Sequence, residues 1–300
     1  MAAFTLAHLS DPHLAPLPRP RARDLMGKRL LGYLNWRRSR KAIHSRAVLD
    51  ALTADLRAQA PDHIAVTGDL VNIALEAEFA QAGDWLRSIG KPHDVTLVPG
   101  NHDAYVASTW PRCANLWRDY MRGDDVAGDS GLQFPYLRRR GPLELIGVST
   151  AVPTAPFMAT GRLGQEQLAK LASLLSVRAG DERFRVLLIH HPLRSRHRHK
   201  RLIDAPALLD ILRTHAVQLV LHGHDHKHSL MWLDGPAGRI PSVGVPSASG
   251  AVDGVHDPAA YNLFRIEKQG NGWRCNWTAR GLSQSADRIT ELRQQELLQP

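Results

Sequence analysis

Residues 95–103 read VTLVPGNHD, a short apolar run followed by a turn and three polar side chains. Residues 4–13, 64–69, 186–192 and 219–226 are also short apolar runs that end in Asp or His side chains. Brief runs of Val, Ile and Leu are typical of buried strands, and the carboxyl ends of neighbouring strands in an α/β sheet converge on one crevice. The five stretches therefore predict an α/β fold whose functional site lies where five strands end.

The polar side chains at these five ends form a set typical of metal ligands and their neighbours. They are Asp11, His13, Asp69, Asn101, His102, Asp103, His190, His224 and His226. Carboxylate, amide and imidazole donors together suit two borderline divalent ions such as Mn(II), Fe, Co(II) or Zn(II). One His beside an acid would carry little information, because such residues are common on protein surfaces. Five blocks in order predict a dinuclear metal site.

The five blocks resemble the pattern of the calcineurin-like metallophosphoesterase family: D-x-H, G-D, G-N-H-D/E, H-x-P and G-H-x-H. In size and spacing the chain looks most like the cyclic-nucleotide phosphodiesterase branch. The resemblance implies a four-layer α/β/β/α sandwich of two mixed sheets flanked by helices. We expect this domain to span residues 1–282, with a basic amphipathic insertion at 19–46. A polar C-terminal tail at 283–300 is expected to be a loose helix.

The resemblance also implies individual roles for these residues. One ion is expected on Asp11, His13, Asp69 and His226, and the second on Asp69, Asn101, His190 and His224, with Asp69 bridging. Two ions about 3.5 to 4 Å apart lower the pKa of a bridging water and clamp phosphoryl oxygens, so the expected nucleophile is a hydroxide. His102 is expected to polarise the phosphate and protonate the leaving oxygen, with Asp103 orienting its imidazole. His191 and His222 are expected to support ligands or pack.

Length and composition fit one large domain. The chain has 300 residues, of which 43% are hydrophobic, so it can bury a full core, and no internal repeat divides it. No apolar run approaches the ~18 residues of a membrane span, and no basic segment precedes a long apolar stretch at the N-terminus. Cys113 and Cys275 lack metal-ligand spacing. The expected location is therefore cytoplasmic.

The insertion at 19–46 carries ten Lys or Arg residues and one acid, which accounts for the whole net charge of +9. Leu30, Tyr33, Leu34 and Trp36 lie among these cations. Such a segment suits a lid over an anionic amphiphile, or a helix on the inner face of an anionic membrane. A loop docked on the domain is the plainer alternative. Nucleic acid is disfavoured, because the remaining charge is balanced.

Taken together, these features predict a dinuclear metal-dependent phosphoesterase that hydrolyses a phosphodiester of the cyclic-nucleotide type. The alternative is a pyrophosphatase of a lipid-linked nucleotide sugar, similar to UDP-2,3-diacylglucosamine pyrophosphatase, which acts at the membrane surface through the insertion. A nuclease is less favoured. A non-catalytic scaffold is also less favoured, because scaffolds of this family usually lose metal ligands and none is missing here. The residues leave the substrate, the metal and the oligomeric state open.

Overall fold

The structure, a computed structural model, describes residues 3–125, 131–178, 182–283 and 288–300. Within these ranges the strands are β1 (Phe4–Leu9), β2 (His63–Val66), β3 (Val95–Leu97), β4 (Tyr136–Arg140), β5 (Leu143–Gly147), β6 (Phe184–Leu188), β7 (Leu219–His222), β8 (Ser229–Gly235), β9 (Gly238–Gly244), β10 (Ala260–Gln269), β11 (Gly272–Leu282) and β12 (Ile289–Leu298). The α-helices are α1 (Lys28–Asn35), α2 (Lys41–Ile43), α3 (Arg46–Ala58), α4 (Glu76–Ile89), α5 (Trp110–Cys113), α6 (Gln165–Val177) and α7 (Ala205–Thr214). A π-helical segment, Trp36–Arg40, joins α1 to α2.

The strands form two mixed sheets. The first has the order β12-β11-β10-β1-β2-β3 and the second the order β4-β5-β6-β7-β9-β8. Strands β1, β2 and β3 are parallel, as are β5, β6, β7 and β9. Helices α3, α4, α6 and α7 provide the crossovers that consecutive parallel strands require. The predicted pair of mixed sheets with flanking helices is confirmed.

Alternate residues of the second sheet face different layers, as the two-residue period of a strand requires. Leu145 and Leu221 belong to the core that is shared with the first sheet. Their neighbours Ile146 and Val220 belong to a separate cluster that also contains Leu171 of α6 and residues of α7. The second sheet is therefore buried on both faces, between the first sheet and an outer layer of helices.

The C-terminal segment corrects the expectation of a loose helical tail at 283–300. Residues 289–298 form β12, which pairs antiparallel with β11 at the edge of the first sheet. The sequence of β12, ITELRQQELL, contains strong helix formers, but pairing along a long neighbouring strand overrides that local preference. Its many charged and polar side chains suit an edge strand. The segment is part of the sheet rather than an appendage.

The insertion at 19–46 is docked beside the strand ends. Leu25, Tyr33 and Trp36 pack against a small buried cluster that includes Ile73. Gly32 lies so close to the Tyr105 hydroxyl that a Cβ there would be only 2.7 Å from it. The opposite side of α1 stays open to solvent, with Leu30, Leu31 and Leu34 exposed. Among the described helices, none combines the length and apolarity needed to cross a membrane.

Candidate metal centre

The loops that follow β1, β2, β3, β6 and β7 meet at one edge of the two sheets. The strand ends are in register, since Val66 of β2 pairs with Leu9 of β1 and with Leu97 of β3. Five of the candidate metal ligands in these loops have positive φ: Asp11, His13, Asp69, His224 and His226. This conformation is uncommon for residues other than Gly and clusters at functional sites. A Cβ on Gly100 would collide with the Asp69 carboxylate, so only glycine permits these two loops to approach.

The first group of donor atoms is built from the loops after β1, β2 and β7. Asp11, His13 and Asp69 each offer a ligand atom, and these atoms lie within 4.8 Å of one another. His226 completes the group, with Nε2 at 3.2 Å from Asp11 Oδ1 and 3.3 Å from His13 Nε2. The four ligands predicted for the first ion are therefore together.

The second group shares Asp69 with the first. Asp69, His190 and His224 also offer ligand atoms within 4.8 Å of one another. His190 Nε2 lies 3.2 Å from His224 Nδ1 and 3.1 Å from Asn101 Oδ1. The side chains of Asp69, His190 and His224 are buried. All four residues predicted for the second ion are thus brought together, with Asp69 between the two groups.

Backbone carbonyl groups orient three of the histidines. His13 Nδ1 lies 3.1 Å from the Val71 carbonyl oxygen, and His190 Nδ1 lies 2.6 Å from that of Thr67. His224 uses the other nitrogen, Nε2, at 3.0 Å from the Lys200 carbonyl oxygen. A ring N–H that donates to a carbonyl fixes the tautomer and leaves the second nitrogen free to bind a metal. In each case that second nitrogen is the one that faces the cluster.

The electrostatics of the cluster favour a cation. Burial opposes ionisation of Asp69, but the neighbouring His190 and His102 rings hold the pKa of its carboxyl well below the usual value. Burial likewise disfavours a charged His190, yet the Asp69 carboxylate raises the pKa of this imidazole to about 10. The point between Asp69 and His190 therefore attracts positive charge. Together with the free histidine nitrogens, this donor set fits two borderline divalent ions.

His102 lies beside the cluster, as expected, and lines both adjoining cavities. Its Nδ1 is 2.6 Å from the Asn72 carbonyl oxygen, so this nitrogen carries the hydrogen and Nε2 remains available to a substrate. The ring is stacked on Tyr105, with centroids 5.7 Å apart. Burial, followed by the charge of Arg40, lowers the pKa of His102 to about 3. The imidazole is therefore neutral in the free site.

Among the described residues, the Asp103 carboxylate makes no hydrogen bond with the His102 imidazole, whose Nδ1 donates to the Asn72 carbonyl oxygen, and this differs from the role expected for Asp103. Its carboxylate accepts hydrogen bonds from the backbone N–H groups of Asp69, Leu70, Val71 and Gly100, at 2.8 to 3.2 Å. Burial and the negative charge of Asp69 raise the pKa of Asp103, whereas the backbone donors act in the opposite direction. The carboxylate links the loop after β3 to the loop after β2 through these hydrogen bonds. It therefore positions the backbone of Asp69 rather than the ring of His102.

The two histidines next to motif residues have supporting positions. His191 Nδ1 lies 2.7 Å from the Thr150 hydroxyl, and its ring centroid is 4.2 Å from that of His224. His222 is the last residue of β7 and is buried. His191 therefore packs against a candidate ligand, in agreement with the supporting role that its place in the motif indicates.

Two residues of the insertion also reach the site, and the motifs gave no indication of either. The His44 ring centroid lies 4.6 Å from that of His13, and His13, His44 and His226 form a third group of possible metal donors. Arg40 ends the π-helical segment, with Nη1 3.3 Å from His102 Nδ1. Only the concentration of charge at 19–46, adjacent to the first motif, could have suggested them.

Comparison with known proteins agrees with this geometry. The family model for calcineurin-like phosphoesterases matches residues 4–228. The chain therefore belongs to the calcineurin-like phosphoesterase family. It is also 26% identical, over 229 residues, to a protein of Synechococcus sp. described as a probable cyclic nucleotide phosphodiesterase, covering 75% of this chain and 79% of the relative.

Solved structures of low sequence identity share the fold. A dimetal phosphatase from Danio rerio is 14% identical and has a TM-score of 0.65, with 97% of this chain and 99% of that chain covered. The purple acid phosphatase PPD1 from yellow lupin (Lupinus luteus) is 12% identical with a TM-score of 0.59, covering 97% of this chain and 53% of that one. At these identities the similarity establishes the architecture and leaves the substrate open.

Proposed function

We propose that the protein is a dinuclear metal-dependent phosphodiesterase. One ion would be held by Asp11, His13, Asp69 and His226, and the other by Asp69, Asn101, His190 and His224. The observation that carries the proposal is the shared position of Asp69, whose Oδ2 is 3.8 Å from His13 Nε2 and 3.4 Å from His190 Nε2. A bridging carboxylate reduces the repulsion between two cations, and neutral His and Asn ligands keep the site positive enough for a phosphate.

The residues of the chain hold this arrangement in place before substrate binds. The backbone N–H of His102 donates to Asp69 Oδ1 at 2.7 Å, which leaves Oδ2 directed at His13 and His190. When bound, the two ions would lower the pKa of water and offset the charge on the phosphoryl oxygens. The His102 side chain lies beside the same position. Because the imidazole is neutral in the free site and its Nδ1–H donates to the Asn72 carbonyl oxygen, Nε2 must first take up a proton from solvent when the anionic phosphate binds. The proposed role of His102 is then to donate this Nε2–H to a phosphoryl oxygen and to pass the proton to the departing alcohol.

Two features favour a diester over a monoester. Cavities of about 450 and 340 Å³ adjoin the cluster, and both are lined by Asn101 and His102. A phosphodiester has a substituent on each side of phosphorus, and two cavities that meet at the reacting centre can receive both. The description of the Synechococcus relative as a probable cyclic nucleotide phosphodiesterase supports the same class of substrate.

A pyrophosphatase of a lipid-linked nucleotide sugar, acting at a membrane surface, remains the second candidate function. The observation that favours it is the exposed apolar surface of the insertion. Met26 is 77% exposed and Leu30 is 46% exposed, and the same insertion carries the exposed Arg21, Arg23 and Arg37. Apolar groups interleaved with cations suit an anionic lipid surface.

Hydrolysis by protein loaded with Mn(II) tests the proposal. The substrates are bis-p-nitrophenyl phosphate, p-nitrophenyl phosphate, cyclic AMP and a UDP-diacyl sugar, and the Asp69→Asn variant controls for contaminating phosphatases. We expect the aryl diester to be cleaved at least about tenfold faster than the monoester, because binding of the second ester group stabilises the transition state. Preferential cleavage of the monoester, or inactivity of protein that has bound two ions, would contradict it. Cyclic AMP and the UDP-lipid separate the two candidates.

A further inference from the structure

The cavity of about 450 Å³ extends from the metal cluster to the surface, between α1 and residues 154–159. Asn101 and His102 form its inner end, next to the candidate ligands. Its volume is within the range of about 300 to 1,000 Å³ that is usual for small-molecule sites. A molecule in this cavity would therefore lie beside any phosphate held at the metals.

The outer walls of the cavity are mainly apolar, although Lys28, Arg38 and Lys200 also line it. Leu31 and Leu34 of α1 form one side, and Phe157 and Met158 form the other. Leu31 is 42% exposed, Leu34 is 43% exposed and Phe157 is 85% exposed. Leaving apolar side chains in water around a concave surface is unfavourable, and an apolar ligand removes that cost.

Contacts between α1 and the 154–159 loop keep the two walls at a fixed separation. Lys28 Nζ donates to the Thr154 carbonyl oxygen at 2.9 Å, and it also lies 4.1 Å from the Tyr105 ring centroid. The Thr154 hydroxyl in turn donates to the Met158 carbonyl oxygen at 2.6 Å. Phe157, between them, has φ +65°, a conformation that is strained for a bulky residue and that persists only where the surroundings enforce it. The cavity is therefore a built feature of the fold.

The inner end of the cavity carries positive charge from Arg40. This side chain is partly buried and lines both cavities. Within the described part of the chain no carboxylate oxygen lies within 4.0 Å of its guanidinium, and its Nη1 is 3.3 Å from His102 Nδ1. Because that nitrogen already donates to Asn72, it cannot accept from Arg40. A partly buried guanidinium without a paired acid is suited to receive an anion.

We propose that this cavity binds an apolar ester group of the substrate while Arg40 binds the phosphate, so that the substrate is an amphiphilic phosphodiester. The inference rests on the proposed phosphodiesterase activity. Apolar walls that lead to a cationic end match a molecule with one apolar chain and one phosphate. A wholly polar substrate would leave Leu31, Leu34 and Phe157 in contact with water. An amphiphilic diester therefore fits this cavity better than a cyclic nucleotide does.

Methyl p-nitrophenyl phosphate and octyl p-nitrophenyl phosphate test the apolar wall, because the leaving group is the same in both. With Mn(II)-loaded protein and monomeric esters, we expect kcat/KM to be about tenfold or more higher for the octyl ester, mainly through a lower KM. The Leu31→Asp/Phe157→Asp variant should reduce this ratio to about threefold or less, since charged walls no longer accept the chain. Met26→Asp, on the same insertion but outside the cavity, should keep the wild-type ratio.

The Arg40→Gln variant tests the cationic end. We expect kcat/KM for both esters to fall by about 10 to 100-fold, which is the usual effect of losing one charge-assisted hydrogen bond. The metal content should not change. Added guanidinium should restore part of the activity of Arg40→Ala, which a merely structural role for Arg40 would not produce. Arg37→Gln, an exposed neighbour in the same π-helical segment, is the matched control and should behave like wild type.

The outcomes separate the inference from the function on which it rests. If the metal-loaded protein cleaves neither ester, the phosphodiesterase proposal and the inference both fail. If it cleaves both esters with equal kcat/KM, the function stands and the inference is wrong. A preference for monomeric octyl ester identifies a free amphiphile as the substrate. A preference that arises only when the ester is carried in phosphatidylcholine vesicles identifies a lipid within a membrane.

Discussion

The metal cluster and the insertion build one site in different ways. Each candidate metal ligand follows a buried parallel strand by two to four residues, so the register of the sheets determines where it lies. The insertion reaches the same place through a short helix and a π-helical segment docked from outside. The candidate ligands are buried except for the half-buried His226, whereas the insertion keeps apolar side chains in solvent. The sheets therefore determine the reaction class, and the insertion is the region suited to select the substrate.

Asp69→Ala gives the largest effect expected at the cluster. The substitution removes the one side chain shared by both donor groups. We expect no measurable hydrolysis, together with a greater loss of bound metal than any other single ligand substitution causes, as determined by mass spectrometry of the metals. Asp84→Ala, at an exposed site on α4, is the control. Retention of two ions per chain in Asp69→Ala would show that Asp69 does not bridge.

His102→Ala should have the next largest effect. We expect both ions to remain bound and turnover to fall by about 10² to 10⁴, the usual contribution of a general acid or base. The loss should be smaller for p-nitrophenyl esters than for alkyl esters, because a good leaving group needs no proton. Equal losses for the two classes would mean that His102 holds the phosphate instead. Steady-state kinetics on matched diesters makes this distinction.

The same difference between the two regions explains what the sequence could predict. The ligands were predictable because each lies directly after a strand, and parallel strand ends meet by geometry alone. Arg40 and His44 were not, because the docking of α1 depends on tertiary contacts such as the close approach of Gly32 to Tyr105. The true partners of Asp103 are backbone N–H groups, which have no signature in residue type. Strand β12 was missed because its residues favour a helix by local propensity, and only their pairing with the preceding strand β11 makes them extended.

Asp103→Ala tests whether this carboxylate stabilises the loops or acts on His102. Four buried backbone N–H groups would lose their acceptor. We therefore expect the free energy of unfolding, measured with urea on metal-free protein, to fall by about 3 kcal/mol or more. Asp94→Ala, at an exposed site, is the control. Two results together would instead support the role first expected for Asp103. The free energy of unfolding of Asp103→Ala would be unchanged, and the loss of turnover in the Asp103→Ala/His102→Ala double variant would be smaller than the sum of the two single losses in free energy.

The smallest effects are expected at the outer surface of the insertion, where a membrane contact is still a prediction. Replacing the exposed Arg19, Arg21, Arg23 and Arg37 with Gln should weaken binding to anionic liposomes by roughly 1 kcal/mol per cation at low salt, and by less as salt screens the charges. Met26→Ser and Leu30→Ser should weaken the same binding without that salt dependence. Turnover of methyl p-nitrophenyl phosphate should not change, because none of these residues lines a cavity beside the metals. Co-sedimentation with vesicles provides the measurement. If the unmodified protein fails to bind anionic vesicles at low salt, the exposed cations and apolar groups do not bind a membrane, and the insertion acts only at the metal cluster and its cavities.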